Sequence, residues 1–280
     1  MKKFLYVIVA ASLTGSLSSC LNDDEHYVDF KNVGAIAEIP SSAFYGLEDT
    51  RSYLKVAAAA DTFDVKVSSP NIPSQDVQIS VAIDEAALTA FNAQNDTDYK
   101  ILPASLYQLT TPTVTVKAGT RLAPVSFQLN TTSLSFTDNY AIPFVIKTAT
   151  NNVTVSSNYG TKILAIKLRN NYEGTYQATG RFTHPNPASS RDINKSKTLA
   201  SIDETTSQTE YADLGGSGYL MWLKINADNT VTLTPRNGAP TTVQTGVNTY
   251  DPATRTFTLN YRYAGAGGDR VITEKLQRVD

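Results

Sequence analysis

The stretch Val77-Gln78-Ile79-Ser80-Val81-Ala82-Ile83 decides the fold class, because large apolar side chains occupy every second position. Successive side chains of a β-strand point to opposite faces, so this period of two predicts a strand with one buried face. The same alternation recurs outward along the chain, at residues 63–67, 113–116, 125–129 and 164–168. Strands with one apolar face, separated by turn residues, are typical of antiparallel sheets. We therefore expect an immunoglobulin-like β-sandwich over residues 27–169.

One segment of this region departs from the strand pattern. Residues 84–95 place Ala87, Leu88 and Phe91 on a single helical face, with Asp84 at the position of an N-cap. This predicts one short helix at an end of the sandwich. The stretch Asn95-Asp96-Thr97-Asp98 carries oxygen atoms of the kind that calcium binds, but it lacks a full ligand loop. We expect it to be a turn that ends the helix.

A second antiparallel domain is expected over residues 170–280. Alternation returns at residues 172–182, 220–225, 231–234, 256–263 and 271–279. Residues 184–197 contain Pro185, Pro187 and two adjacent serines, and we interpret them as a loop. The first strand opens with Gly174-x-Tyr176, which resembles the start of lipocalin-like barrels. An antiparallel β-barrel and a sandwich both agree with the pattern, so the expected fold class is all-β throughout.

The N-terminus has the features of an export signal. Two lysines precede an apolar run at residues 4–13, which is too short to span a bilayer, and Leu17-Ser18-Ser19-Cys20 resembles the bacterial lipobox. This predicts a signal peptide at residues 1–19 and a lipid on Cys20, followed by a tether at residues 20–26. A buried N-terminal helix with an incidental cysteine is the alternative. Cys20 is the only cysteine, so no intramolecular disulfide is possible.

The tether carries three consecutive acidic residues, Asp23, Asp24 and Glu25. An acidic run directly after a lipidated cysteine resembles the surface-export signal of Bacteroidota lipoproteins, although a solvated linker is also possible. The pattern favours a protein that is lipid-anchored in the outer membrane and faces the cell exterior.

Composition excludes several classes of function. The 24 basic and 26 acidic residues give a formal net charge of −2 and form no basic stripe, which argues against nucleic acid as a partner. Only two histidines are present, His26 and His184, so neither a zinc site nor a catalytic triad is indicated. The carboxylates Asp203, Glu204, Glu210 and Asp213 lie in a polar stretch that we interpret as a solvated loop rather than a glycosidase pair. We expect no catalytic residue, metal or cofactor.

Two groups of motifs resemble a known family. They are Ala90 to Tyr99 with Leu102-Pro103 and Tyr107-Gln108-Leu109, then Lys117-Ala118-Gly119, Tyr140 and Ile142-Pro143. These motifs resemble the N-terminal domain, of unknown function, of a family of Bacteroidota surface lipoproteins. Tyr250-Asp251-Pro252 and the run Phe257 to Tyr263 resemble a second uncharacterised β domain that often follows the first. The resemblance implies genes beside starch-utilisation-like transporters, and relatives that are glycan-binding or carry an endo-β-N-acetylglucosaminidase domain. It transfers no catalytic residue.

Aromatic side chains are the remaining candidates for a binding site, because sugar faces pack on aromatic rings while hydroxyls need polar neighbours. Trp222 is the only tryptophan and is either a core residue or a stacking platform. The other candidates lie in or near expected loops: Tyr211, Tyr219, Tyr250 and His184. These observations favour a non-catalytic glycan-binding surface protein, with an outer-membrane transporter complex as a possible partner. The alternatives are a structural or adhesin-like protein that binds other proteins, and a glycoside hydrolase or its accessory.

Overall fold

The computed structural model describes residues 34–280, and this part of the chain is all-β, as predicted. The first group of strands is β1 (Ile36–Glu38), β2 (Glu48–Tyr53), β3 (Ala59–Ser68), β4 (Val77–Ile83), β5 (Lys100–Ile101), β6 (Tyr107–Leu109), β7 (Thr113–Val116), β8 (Leu122–Leu129), β9 (Tyr140–Ala149), β10 (Thr154–Val155) and β11 (Thr161–Leu168). They form a five-stranded sheet of order β10-β1-β3-β8-β6 and a six-stranded sheet of order β2-β11-β9-β4-β7, with β5 beside β9.

The core of this sandwich consists of the alternating apolar residues. Phe63, Phe127 and Phe144 pack together at its centre, with the ring centroid of Phe144 4.8 Å from that of Phe63 and 5.1 Å from that of Phe127. Val77, Ile79 and Val81 of the deciding stretch are all buried in the same core. Apolar side chains of this kind contribute roughly 1.5–3 kcal/mol each on burial. The expected immunoglobulin-like sandwich is confirmed.

Two helices lie at the ends of the strands. Helix α1 (Pro40–Tyr45) was not predicted from the sequence. It is only six residues long and its last two side chains, Phe44 and Tyr45, are exposed, so no buried apolar face marks it in the sequence. Helix α2 (Glu85–Asn95) begins and ends where the sequence predicts. The Asp84 carboxylate accepts a hydrogen bond from the amide of Ala86, and Asp96 ends the helix with a φ of 52°. The turn expected at this position is confirmed.

The second group of strands forms one antiparallel sheet that curls into a nearly closed barrel. Its strands are β12 (Gly174–Thr183), β13 (Arg191–Ser201), β14 (Thr206–Glu210), β15 (Leu220–Ile225), β16 (Val231–Arg236), β17 (Thr242–Gln244), β18 (Thr249–Asp251), β19 (Thr256–Gly265) and β20 (Gly268–Arg278). The order is β16-β15-β14-β13-β12-β20-β19-β17, with β18 also paired to β19. Of the two expected alternatives, the barrel is therefore confirmed.

The barrel closes between β16 and the segment that contains β17 and β18. One isolated bridge joins Thr230 to Thr249. Further along, the side chain of Gln244 takes the place of a strand: its carbonyl accepts from the amide of Leu233 at 2.9 Å, and its amide donates to the carbonyl of Val231 at 2.8 Å. This side-chain pairing satisfies backbone groups that would otherwise lack partners at the seam.

The expected loop at residues 184–197 is wrong from Arg191 onwards, where β13 begins. Strand β13 points Ile193, Lys195, Lys197 and Leu199 towards the barrel interior, so two of its inward positions are charged. The apolar–polar alternation is therefore hidden. The lysines can occupy these positions because each forms an ion pair, Lys195 with Glu210 at 2.7 Å and Lys197 with Glu274 at 2.6 Å.

The stretch around Asp203 and Glu210, interpreted as a loop, is also partly a strand, since β14 occupies five of its residues. The predicted lipidation site Cys20, the acidic residues Asp23, Asp24 and Glu25, and His26 lie outside the described residues. Within residues 34–280, no helix has the length and apolar character needed to cross a bilayer.

Candidate functional site at the domain junction

Trp222 is held in a fixed orientation on the outer face of the barrel. On β15 the inward positions are Met221, Leu223 and Ile225, so Trp222 points outward and is half-buried. Its indole N–H donates to the side-chain oxygen of Gln208 on β14 at 2.9 Å. The guanidinium of Arg236 on β16 lies 3.9 Å from the ring centroid, a cation–π contact. The ring is therefore positioned by both neighbouring strands.

Trp222 lines a groove between the barrel and the sandwich, with a volume of about 880 Å³. On the sandwich side the wall includes Phe136, from the connection between β8 and β9. On the barrel side, the side chains combine an aromatic ring with hydroxyl and cationic groups: Thr206, Trp222, Lys224, Thr234 and Arg236. This combination of apolar surface and convergent polar groups is typical of a small-molecule site. We call it the Trp222 groove.

The Trp222 groove continues into a second cavity of about 570 Å³, since Lys55, Phe136, Glu204 and Thr205 line both. The Lys55 ammonium lies 2.6 Å from the Glu204 carboxylate, so an ion pair joins the sandwich to the barrel at this point. Both side chains are solvent-accessible, and exposed pairs contribute at most about 1 kcal/mol. This ion pair therefore marks a contact between the two domains but contributes little to the stability of the junction.

Asn170 holds the junction through a buried set of hydrogen bonds. It follows β11 and is 4% exposed. Its side-chain amide donates to the carbonyls of Asp203 and Thr206 at 2.7 and 3.0 Å, and its side-chain oxygen accepts from the amides of Tyr172 and Glu173, both at 3.0 Å. One side chain thus fixes the β13–β14 turn to the start of the barrel.

Tyr211 and Tyr250 do not lie in exposed loops as expected, and this corrects their proposed role. Tyr211 is fully buried, its hydroxyl lies 2.8 Å from that of Thr242, and burial raises its pKa to about 12. Tyr250 is 7% exposed and packs against Phe257, with ring centroids 4.6 Å apart. Aromatic residues of this size supply barrel core, which competes with stacking on a ligand.

Tyr219 and His184 are more accessible but lie apart from the Trp222 groove. Tyr219 is half-buried against the barrel core, and its carbonyl accepts from the amide of Tyr211. His184 is half-buried, and its Nδ1 accepts from the amide of Asn186 at 2.9 Å. Neither residue lines the groove. Of the predicted aromatic residues, only Trp222 belongs to it.

Each acidic residue considered as a catalytic carboxylate already has a local partner. Glu204, Glu210 and Asp213 are paired with Lys55, Lys195 and Arg191, respectively. Burial alone would raise the pKa of Asp203, but hydrogen bonds from Thr205 and Thr206 outweigh it and lower the pKa. A general acid needs a raised pKa, so Asp203 is poorly suited to that role. Across residues 34–280, no set of three or more His, Cys, Asp or Glu side chains is placed to bind a metal ion.

The fold and groove define a class, that of two-domain all-β proteins with a solvent-accessible cleft at the domain junction. A family model described as an N-terminal domain matches residues 43–153, and a second, described as the C-terminal part, matches residues 160–277. The chain belongs to the two-domain family that these models represent. The resemblance found in the sequence motifs is confirmed. Among curated proteins, none matches this chain.

Solved structures share this architecture. A Bacteroides ovatus protein of unknown function is 14% identical, covers 89% of this chain and 93% of its own, and superimposes with a TM-score of 0.52, which shows the same fold. An auxiliary nutrient binding protein from Bacteroides thetaiotaomicron is 15% identical over 90% of this chain and 94% of its own, with a TM-score of 0.42. A candidate carbohydrate binding protein from Bacteroides ovatus is 14% identical over 86% and 79%, with a TM-score of 0.41.

Proposed function

We propose that this protein binds glycans in the Trp222 groove and does not catalyse their cleavage. The observation that supports this most directly is the partly exposed Trp222, fixed on the barrel in a groove that Phe136 also lines, together with hydroxyl, cationic and carboxylate groups. Sugar rings offer an apolar face and a rim of hydroxyls, and this groove offers an indole and a rim of hydrogen-bonding side chains. The pairing of the nearby carboxylates supports the non-catalytic part of the proposal.

Preorganisation also supports binding at this position. The hydrogen bond that Trp222 donates to Gln208 and the cation–π contact of Arg236 limit the rotamers of Trp222 before any ligand arrives. Ordering a free side chain at an interface costs about 0.5–1.5 kcal/mol, and a ring already held in place avoids most of this cost.

The lone tryptophan makes the proposal directly testable. Because the chain contains one Trp, the intrinsic tryptophan fluorescence of the folded protein reports on the surroundings of Trp222 in the groove. We expect titration with a polysaccharide panel to shift or quench this fluorescence for at least one glycan. Calorimetry should give the same dissociation constant. Trp222→Ala should weaken binding about 10-fold or more, since truncating an aromatic hot spot costs roughly 2 kcal/mol.

A matched control is available in the same chain. Tyr45 is 86% exposed and lies on α1 in the sandwich, outside the groove, so Tyr45→Ala should leave the affinity unchanged. Binding detected by calorimetry with no change in Trp222 fluorescence would place the ligand elsewhere. Equal losses for the two alanine variants would also contradict the proposal.

The cellular setting that we propose derives from the sequence alone. A lipid on Cys20 would anchor the protein in the outer membrane, and the acidic residues that follow would direct it to the outer face, beside an uptake transporter. Metabolic labelling with a palmitate analogue should mark the wild-type protein and not Cys20→Ala. Protease treatment of intact cells should degrade the protein if it faces outward, whereas full protection would place it on the inner leaflet.

A further inference from the structure

A third cavity lies at the end of the barrel that faces the sandwich, and cationic groups dominate its wall. It has a volume of about 510 Å³, and Arg169, Arg255 and Arg278 line it. That volume falls within the roughly 300–1,000 Å³ typical of ligand sites. The protein as a whole has a net charge of −2, so three arginines around one cavity do not reflect a generally basic surface. We call this cavity the arginine pocket.

Among the described residues, two of these three arginines have no carboxylate paired with them. Arg278 pairs with Asp280 at 2.6 Å, and it also donates to the carbonyl of Asn171. Within residues 34–280, neither Arg169 nor Arg255 forms an ion pair or a side-chain hydrogen bond. The guanidinium presents planar, forked donors that match a carboxylate or a sulfate, so free arginines around a cavity favour an oxyanion.

The carboxylate of Asp251, which lies close enough to Tyr250 to influence it, does not neutralise the pocket. Asp251 accepts from the amide of Ala253 at 2.9 Å and from the hydroxyl of Thr254 at 2.7 Å, so its oxygens cap their own turn. These hydrogen bonds lower the pKa of Asp251 and keep it ionised. Asp251 and Asp280 are thus both engaged locally, and in the described part of the chain neither forms an ion pair with Arg169 or Arg255.

Two tyrosines form the wall between the arginines. Tyr172 and Tyr250 pack edge to face, with ring centroids 5.0 Å apart, and burial raises the pKa of each. Both hydroxyls therefore remain protonated at neutral pH and able to donate. In the described part of the chain neither hydroxyl has a hydrogen-bond partner. Tyr250, rejected above as an exposed stacking residue, thus gains a different role as a wall of this pocket.

The arginine pocket is continuous with the Trp222 groove. The cavity of about 570 Å³ shares Arg169 and Asn171 with the arginine pocket, and it shares Lys55 and Phe136 with the Trp222 groove. The three cavities therefore adjoin one another along the domain junction, with an indole at one end of the series and an arginine cluster at the other. A series of three cavities, apolar and aromatic at one end and cationic at the other, suits an oligosaccharide better than a single sugar.

We propose that the arginine pocket binds the anionic group of an acidic oligosaccharide, either the carboxylate of a uronic acid or a sulfate ester, while its neutral sugars lie along the groove towards Trp222. This inference rests on the proposed glycan-binding function and narrows it to acidic glycans. Hydrogen bonds to charged groups are about twice as strong as neutral ones, so the anion would anchor the chain end.

The test compares polysaccharides that separate the two anions. Polygalacturonate and hyaluronan carry carboxylates alone, and their carboxyl-reduced forms are the neutral counterparts. Dextran sulfate carries sulfates on a neutral backbone, and dextran is its neutral counterpart. Binding is measured by affinity electrophoresis and Trp222 fluorescence. We expect the protein to bind at least one anionic polymer and to lose 10-fold or more in affinity for its neutral counterpart.

Charge-matched variants locate the site. Arg169→Gln/Arg255→Gln should weaken acidic-glycan binding 10-fold or more. Arg181→Gln/Arg262→Gln removes the same charge from exposed arginines paired with Asp192 and Asp269, and it should change the affinity less than 3-fold. Circular dichroism and the thermal midpoint confirm that both variants are folded.

The other possible results of these binding measurements each contradict a different part of the proposal. Equal losses in the two double variants would indicate diffuse electrostatic attraction and would overturn the pocket. Preference for neutral polymers, with an unchanged response of Trp222, would overturn the acidic specificity while leaving the proposed glycan-binding function intact. Failure to bind any polymer of either kind would remove both proposals together.

Discussion

Lys197→Met should destabilise the barrel by about 3–5 kcal/mol, because it leaves a buried carboxylate without its cation. Lys197 and Glu274 are 0% and 2% exposed, and their charged atoms lie 2.6 Å apart inside the barrel. After the substitution the Glu274 carboxylate keeps one neutral hydrogen bond, from the Tyr261 hydroxyl at 3.3 Å. That single bond contributes about 1 kcal/mol, so most of the desolvation cost of the carboxylate remains.

The double substitution separates the value of the ion pair from the cost of breaking it. In Lys197→Met/Glu274→Leu both charges are replaced by apolar groups of similar volume, and such replacements of buried ion pairs are often neutral or stabilising. We therefore expect the double variant to lie within about 2 kcal/mol of the wild type, with the main residual cost at the Tyr261 hydroxyl, which loses its acceptor and keeps only the hydrogen bond from the amide of Ala212.

Urea unfolding monitored by Trp222 fluorescence measures these differences for the barrel alone, since the only tryptophan lies on β15. With a slope of about 2 kcal/mol per molar urea, the single variant should lower the midpoint by roughly 2 M. A loss below about 1 kcal/mol would refute the reasoning, because the carboxylate would then be solvated or protonated without cost. A double variant as unstable as the single variant would refute the claim that the pair is replaceable.

Three further predictions concern the junction, a close strand pairing and pH. Asn170→Asp should lower the free energy of unfolding by about 2–4 kcal/mol in calorimetry, since a carboxylate cannot donate to the two carbonyls that the amide serves; an unchanged midpoint would show that the junction is not held there. Gly180→Ala should abolish soluble expression, because a Cβ would lie 1.9 Å from a carbonyl oxygen of β20, whereas Gly216→Ala, with nothing within 4 Å, should express normally. Burial alone would raise the pKa of Asp49, but Lys162 and Arg51 together outweigh it and lower the pKa below 3.8. Ionised Asp49 therefore stabilises the fold above the pKa that it has in the unfolded chain, and this stabilisation is lost as the pH falls. In an acid titration, Asp49→Asn should lose less stability than the wild type between about pH 5 and 2.

The strands could be predicted wherever the interior positions are apolar. Val77 to Ile83 and residues 220–225 follow the simple alternation, and Lys224 marks the outward face on which Trp222 also lies. Strand β13 could not be predicted in this way, because Lys195 and Lys197 occupy interior positions and their partners, Glu210 and Glu274, are distant in sequence. Ion pairs between residues that are distant in sequence leave no alternating apolar pattern in either strand.

The groove could be predicted only in part. The single tryptophan was identified from composition, and its strand phase gave a signal for its outward direction. Phe136 and Lys55 come from connections in the other domain, and no local pattern brings them to Trp222. The arginine pocket likewise joins Arg169, Arg255 and Arg278 from separate segments. Sites assembled across a domain junction depend on how two folded units meet, which periodicity does not encode.

Closure of the barrel through Gln244 has a mechanical consequence for the groove. Strands β15 and β16 carry Trp222 and Arg236, and a full backbone ladder joins them to the rest of the barrel only on the β14 side. On the other side, two backbone hydrogen bonds, from Val231 to Asn248 and from Tyr250 to Asn229, form the bridge at Thr230, and the side chain of Gln244 adds two more. The strands that carry the indole are therefore held by a full ladder along one edge and by four hydrogen bonds along the other, so we expect local opening of the barrel to begin at the β16 edge.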